Sequence, residues 1–174
     1  IENLYAAGID VCLVVTIVNT VNNDQVGPIV KFALQNCDKI SFVSFQPVSF
    51  TGRDEDISDK DRQAQRYTLS HLAHDMRAQT GATEPLRDWF PLSASSAISS
   101  VTDLVKGPGA DWGSLSCGCH PDCGIGMAFM VSKTTKEWKP VSDFLDVEGV
   151  LNDARLIADS ARSRTLTLLQ TGLS

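Results

Sequence analysis

The sequence predicts an α/β fold built on parallel strands, and three features of residues 1–48 carry the prediction. The run "IDVCLVVTIV" at 9–18 is continuously apolar and β-branched, as suits a strand covered on both faces in a parallel sheet. A second apolar run, "ISFVSFQPV", follows at 40–48. Between them, "QVGPIVKFALQN" places Val26, Ile29, Val30, Ala33 and Leu34 at the i, i+3, i+4, i+7, i+8 spacing of an amphipathic helix. Strand, helix, strand is the grammar of an α/β barrel or a doubly wound sheet.

The remaining elements follow in order. "IENLYAAG" reads as a helix stopped by Gly8, and "NTVNNDQ" supplies loop and cap residues before the amphipathic helix. Ser58 with Asp61 forms a capping box that opens a long polar helix to about Thr80, closed by Gly81. Residues 81–116, rich in Gly, Pro and Ser, read as an ordered connection with a short helical patch at Ala97–Val105. "MAFMVS" and "EWKPVS" form a hairpin, and a last amphipathic helix spans about Val147–Arg162. Three regions result: 1–55, 56–110 and 111–174. The chain opens without Met inside a helical pattern and closes in another periodic segment, so it reads as a piece of a longer polypeptide.

A length of 174 residues, 43% hydrophobic and 21% charged, is enough for one sizeable core. Net charge is −6, with no basic stretch interleaved with aromatics, which argues against a nucleic-acid partner. No apolar segment approaches the roughly 18 residues of a membrane span, and the start lacks the plan of a signal peptide. The expected location is therefore cytoplasmic, where thiols stay reduced.

In a parallel α/β sheet, ligands bind at the carboxyl ends of the strands. Thr16, Asn19, Asn22 and Asn23 after the first strand, and Gln46, Pro47 and Ser49 after the second, are placed there. Arg53 lies just beyond, where a guanidinium could grip a carboxylate or phosphate or join a surface ion pair. Cys12 and Cys37 sit at the opposite edge and read as packing residues. Three of the five cysteines, Cys117, Cys119 and Cys123, form C-x-C-x3-C in "SCGCHPDCGIG". Thiolates so close repel one another unless a cation or an iron–sulfur cluster absorbs their charge. Three local sulfurs fit a [4Fe–4S] cluster with a fourth ligand from elsewhere or an open iron; zinc on the three cysteines and His120 is the rival. A thiol redox centre is a third reading. His71 and His74, three apart with Asp75 next door, have the look of a metal pair but read as solvated or capped by neighbours, and "RDWFP" at 87–91 reads as a packing anchor for a loop, with substrate contact as the alternative. A Gly-rich phosphate loop, a nucleophile elbow and H-E-x-x-H are all absent from the sequence.

Taken together, these motifs resemble a known family. "LVVTIVNTVNNDQVGPIVKFAL" is similar to the fifth strand and following helix of the radical S-adenosylmethionine (SAM) partial barrel. "ISFVSFQPVSFTGR" is similar to the sixth strand, with the "QPV" tail and "GR" found in the branch of the tetraether lipid synthases and the pterin-methylating proteins. "DWFP" and "SCGCHPDCGIG" resemble that branch's later part, where cysteines ligate auxiliary clusters. The C-x3-C-x2-C loop that binds the SAM-cleaving cluster is absent from this sequence.

The resemblance implies the C-terminal half of a partial (β/α)6 TIM-like barrel plus a loop-rich auxiliary iron–sulfur region, inactive alone. It places Asn19, Gln46 and Pro47 near SAM and makes Cys117, Cys119 and Cys123 ligands of an auxiliary [4Fe–4S] cluster. The activity implied is hydrogen abstraction from an unactivated carbon by a 5′-deoxyadenosyl radical. The substrate implied is a small molecule, lipid or pterin, with an electron-donor protein as partner. The alternatives from other classes are a structural zinc module and a thiol redox protein.

Overall fold

The computed structural model describes residues 1–52, 56–106, 123–160 and 169; Arg53, Cys117, Cys119 and His120 lie outside the described residues. The chain divides into two units, Ile1–Leu86 with Phe129–Pro140, and Arg87–Ala128 with Val141–Ser174.

The first unit opens with helix α1 (Glu2–Ala6), ended by Gly8 at φ 70°, a left-handed value that glycine adopts without strain. Strand β1 (Val11–Ile17), helix α2 (Val26–Gln35) and strand β2 (Ile40–Pro47) follow, and the strands pair in parallel from Val11↔Ile40 to Ile17↔Pro47. An irregularity between Val11 and Cys12 sets the register so that Cys12 lies beside Phe42, Val14 beside Ser44 and Thr16 beside Gln46. From the predicted stripe of α2, Val26, Val30, Ala33 and Leu34 are buried, and Ala33 packs in one cluster with Val11, Ile40, Leu13 and Val43. Each such side chain removed from water contributes about 1.5–3 kcal/mol, less for Ala, which is what holds α2 on the strands.

Only one face of this strand pair is covered among the described residues. Val11 and Ile17 point into the helical layer, whereas Cys12, Val14 and Thr16, which alternate with them, are exposed together with Phe42 and Gln46. Val14 retains 62% and Phe42 58% of their surface, so the expectation of strands covered on both faces holds on one side only. Cys12, expected to pack, lies on the open side.

The long polar helix expected from Ser58 is two helices, α3 (Asp59–Gln65) and α4 (Leu69–Thr80). Ser58 caps α3 as expected, its Oγ accepting from Asp61 N at 3.1 Å. The break comes from Thr68, a second N-cap: its Oγ1 accepts from His71 N, and His71 Nδ1 accepts from Thr68 N, each at 3.2 Å. Extended backbone at Arg66 and Thr68 turns Tyr67 inward, leaving it 4% exposed. A new cap and a buried ring together outweigh the backbone bonds that a continuous helix would gain. Gly81, at φ 69°, closes α4 as expected. Strands β5 (Phe129–Val131) and β6 (Trp138–Pro140) form the expected hairpin, with Phe129 and Trp138 meeting edge to face at 5.0 Å.

In the second unit, β3 (Phe90–Pro91) pairs antiparallel with β4 (Ile125–Gly126), and helices α5 (Ser96–Lys106) and α6 (Val147–Ser160) pack on each other. No helix among the described residues is long and apolar enough to cross a membrane.

Candidate functional site

At the carboxyl end of β1 the chain must turn with its backbone groups unpaired, and amide side chains satisfy them. Asn22 spans the turn: its Nδ2 donates to Thr16 O at 2.9 Å and its Oδ1 accepts from Val18 N at 2.8 Å. Asn23 Oδ1 accepts from the backbone N–H of Thr20, a residue held at φ 66°, at 2.9 Å. Asn19 donates from its backbone to Gln65 O at 3.0 Å and from Nδ2 to Ala64 O at 2.9 Å, tying the loop to the end of α3. Local side-chain bonds of this kind let a short polar loop hold one conformation.

Helix α4 fixes the far side of the loop. Gln79 donates to Asn23 O and accepts from Gly27 N, both at 2.7 Å. Asp75 Oδ2 accepts from Tyr67 Oη at 2.7 Å and from Asn23 Nδ2 at 3.4 Å. Burial, and then the bond to Asp75, push the Tyr67 phenol well above its ordinary range, so it remains a protonated donor at neutral pH. In the sequence Asp75 stands out only as a neighbour of His71 and His74, and Tyr67 and Gln79 not at all; the bonds from Asp75 and Gln79 to Asn23 and Gly27 span more than 50 positions. His71 serves as the capping partner of Thr68, and His74 is exposed.

Of the residues expected to contact a cofactor, Gln46 and Pro47 fall on opposite sides. Gln46 lies beside Thr16 on the open face, while Pro47 lies beside the buried Ile17 on the helix-covered face. Asn19 stands in the loop above them with its Nδ2 bound to backbone. Ser44, overlooked in the sequence, shares the open face with Thr16 and Gln46; the alternation Phe42, Ser44, Gln46 was the available signal. The open face thus carries Cys12, Val14, Thr16, Phe42, Ser44 and Gln46, none of them charged.

Of the cysteine trio, only Cys123 is among the described residues, and it is exposed with a free thiol. Its C-terminal flank is fixed: Leu92 N donates to Gly124 O at 2.9 Å, next to the β3–β4 pair. "RDWFP" anchors this flank. Asp88, 1% exposed, accepts from Arg87 Nε and from Ser142 Oγ, each at 2.5 Å, and Arg87 Nη2 also meets Asp143 at 2.7 Å. Among the described residues no group of three or more His, Cys, Asp or Glu is placed to hold a metal. Cys37 is half-buried, with Lys136 Nζ 3.6 Å from its Sγ.

Fold and site together define a βαβ protein whose strand ends present uncharged polar side chains, followed in sequence by a cysteine loop with a fixed flank. No family model matches the chain. It is 32% identical over 152 residues to the 7,8-dihydro-6-hydroxymethylpterin dimethyltransferase of Methanocaldococcus jannaschii, an enzyme, across 87% of this chain. The match spans 28% of that relative's length. Because 152 of the 174 residues align, the matched span contains 23–152 wherever it begins, and so takes in β2 and the whole cysteine loop.

Proposed function

We propose that the chain is part of a radical SAM methylating enzyme acting on a pterin-like small molecule in the cytoplasm. In this reading β1 and β2 are the fifth and sixth strands of a partial (β/α)6 barrel, and residues 111–174 form the auxiliary cluster region. The observation that carries the reading is a single sequence match to a pterin dimethyltransferase that runs through both the parallel-strand region and the cysteine loop. The parallel pairing of β1 and β2, with α2 packed on one face, supports it, since parallel strands joined through a covering helix are the repeating unit of such a barrel.

Cys117, Cys119 and Cys123 would hold an auxiliary [4Fe–4S] cluster; the exposed thiol of Cys123, which has no partner among the described residues and stands on a fixed flank, fits a ligand. When bound, the cluster and SAM supply the electrons and the radical that removes hydrogen from an unactivated carbon. What this chain's own residues contribute is a rigid loop above the strand ends and an uncharged wall beneath it. An electron-donor protein is the implied partner.

Anaerobic reconstitution with iron and sulfide tests the reading. About four irons and four sulfides per chain, lost in Cys119→Ala, is the expected result. One tightly held zinc without sulfide would overturn it in favour of a structural staple. Reactive thiols without bound metal would point instead to redox chemistry.

A further inference from the structure

We infer that the start of α4 is a proton-sensitive latch: His71 caps the helix with Thr68 only while its ring is neutral, and so sets how firmly the loop above β1 is held. The usual partner at this position of a capping box is Glu or Gln. Here it is an imidazole, the side chain that ordinarily changes charge between about pH 5 and 8.

Three observations lead there. Thr68 N donates to His71 Nδ1 at 3.2 Å, so the ring proton sits on Nε2 and the bond needs the neutral form. The cap pins the extended stretch 66–68, and the loop is tied on either side of that stretch. Before it, Ala64 O and Gln65 O accept from Asn19; within it, Tyr67 Oη donates to Asp75, whose Oδ2 also accepts from Asn23 Nδ2. Finally, Asp75 stands four residues along the helix from His71, the spacing of neighbours on one face. Tyr67 joins the two, its ring 5.6 Å from the His71 ring and its hydroxyl on Asp75.

Protonation acts on both His71 and Asp75. A second ring proton turns Nδ1 into a donor facing the Thr68 N–H, and the cap bond is lost. The imidazolium, one turn from the Asp75 carboxylate, then competes for it with Tyr67 and with Asn23, whose bond to it is already long at 3.4 Å. Of the elements packed on α4, the turn Asn23–Gln25 brings Asp24, which is exposed, and α2 brings Lys31, whose Nζ donates to Gln79 O about two turns farther along. In α3, Arg62 lies near Asp59 and over Phe50, Asp61 meets Ser58, and Lys60 is exposed. Arg66 and His74, on either side of the cap, are exposed as well.

The test uses the 174-residue chain and amide hydrogen exchange read by NMR at pH 7.5 and 5.5, both above the ordinary carboxylate range. Protection is corrected for the intrinsic exchange rate at each pH. The Asn19 and Thr20 amides, bonded to Gln65 O and Asn23 Oδ1, are expected to lose protection about 3- to 10-fold at the lower pH, the worth of one cap. His71→Gln keeps an acceptor that does not titrate, so its loop should be equally protected at both pH values, whereas His74→Gln should behave as wild type. The Ser132 amide, bonded to Glu137 O in the β5–β6 hairpin, reports global loosening. Unchanged loop protection in the wild type, a fall that persists in His71→Gln, or a fall shared equally by Ser132 overturns the latch. Titration of the His71 ring carbons gives a second check, since their midpoint must coincide with that of the loop amides, and a separate midpoint also overturns it. The latch stands apart from the enzyme reading, which iron and sulfide content judges, so a chain that binds four irons but keeps its loop at pH 5.5 sinks only the latch.

Discussion

The loop above β1 and the flank of the cysteine loop face one physical problem, holding irregular backbone in one place, and solve it differently. Above β1, neutral amide side chains bond to backbone across long stretches of sequence, Gln79 reaching Asn23 and Gly27. Beside Cys123, a short backbone pairing does the work, backed by the buried Asp88 carboxylate and its Arg87 and Ser142 donors. The first solution spreads the load over several bonds, most of them neutral and worth about 0.5–1.5 kcal/mol each, with Asp75 as one charged acceptor among them; the second concentrates it on one buried charge. Single substitutions should therefore hurt the second region at one point and the first by crowding.

Asp88→Ala is expected to have the largest effect. It removes the charge-assisted bonds from Arg87 and Ser142 and empties a site that is 1% exposed, for a loss of about 3 kcal/mol. Equilibrium urea unfolding measures it, and a loss below about 1 kcal/mol would mean that the β3–β4 pairing alone fixes the flank.

Gly27→Ala comes next. In a helix this change normally stabilises, by roughly 0.5–1 kcal/mol. Here the added Cβ would stand 2.6 Å from Gln79 Cβ and 3.3 Å from Gln79 backbone carbon, atoms that cannot swing aside. Pushing α2 from α4 also strains the Gln79 bonds, so a net loss of about 2 kcal/mol is expected. A stabilised Gly27→Ala chain would show that the two helices separate freely and that the loop does not depend on their close approach.

How much of this was legible in the sequence follows from the range of the forces. The β1–α2–β2 unit was readable because apolar runs and a 3.6-residue stripe are local signals, as Val26, Val30, Ala33 and Leu34 illustrate. The break at Thr68 was missed because a Thr-to-His capping pair lacks the usual Glu or Gln, and because Tyr67 prefers burial for reasons set by its surroundings. In the site, Gln46 and Pro47 were expected after the second strand, whereas they are its last two residues, and their separation depends on which face each occupies, which the register fixes. Asn23 was placed correctly at the strand end, yet its bonds to Asp75 and Gln79 join residues more than 50 positions apart, which periodicity cannot reveal.

Tyr67→Phe sharpens the comparison through pH. Folding raises the phenol's pKa above its unfolded value of 10.0, so the stability from this group is full below that pH and is lost as pH rises past it. Wild-type stability is expected to fall above pH 10 more steeply than that of Tyr67→Phe, while at pH 7 the variant loses about 1 kcal/mol for the bond to Asp75. Parallel stability curves from pH 8 to 11 would mean that Tyr67 is not locked to Asp75 in solution.

Gly124→Ala, in the second region, is expected to do least, although its surroundings are nearly as tight as those of Gly27. The new Cβ would lie 2.7 Å from Leu92 Cδ1, but that atom ends a flexible side chain that is 43% exposed and can rotate into solvent. The backbone bond from Leu92 N to Gly124 O survives the rotation, so the flank keeps its place and the loss stays near 0.5 kcal/mol. Comparing the two alanine variants isolates what each glycine is for: beside Gln79 it permits contact between helices, and beside Leu92 it gives room to a side chain that has other places to go. A loss from Gly124→Ala as large as that from Gly27→Ala would show that Leu92 is pinned, and that the cysteine flank is packed as rigidly as the loop above β1.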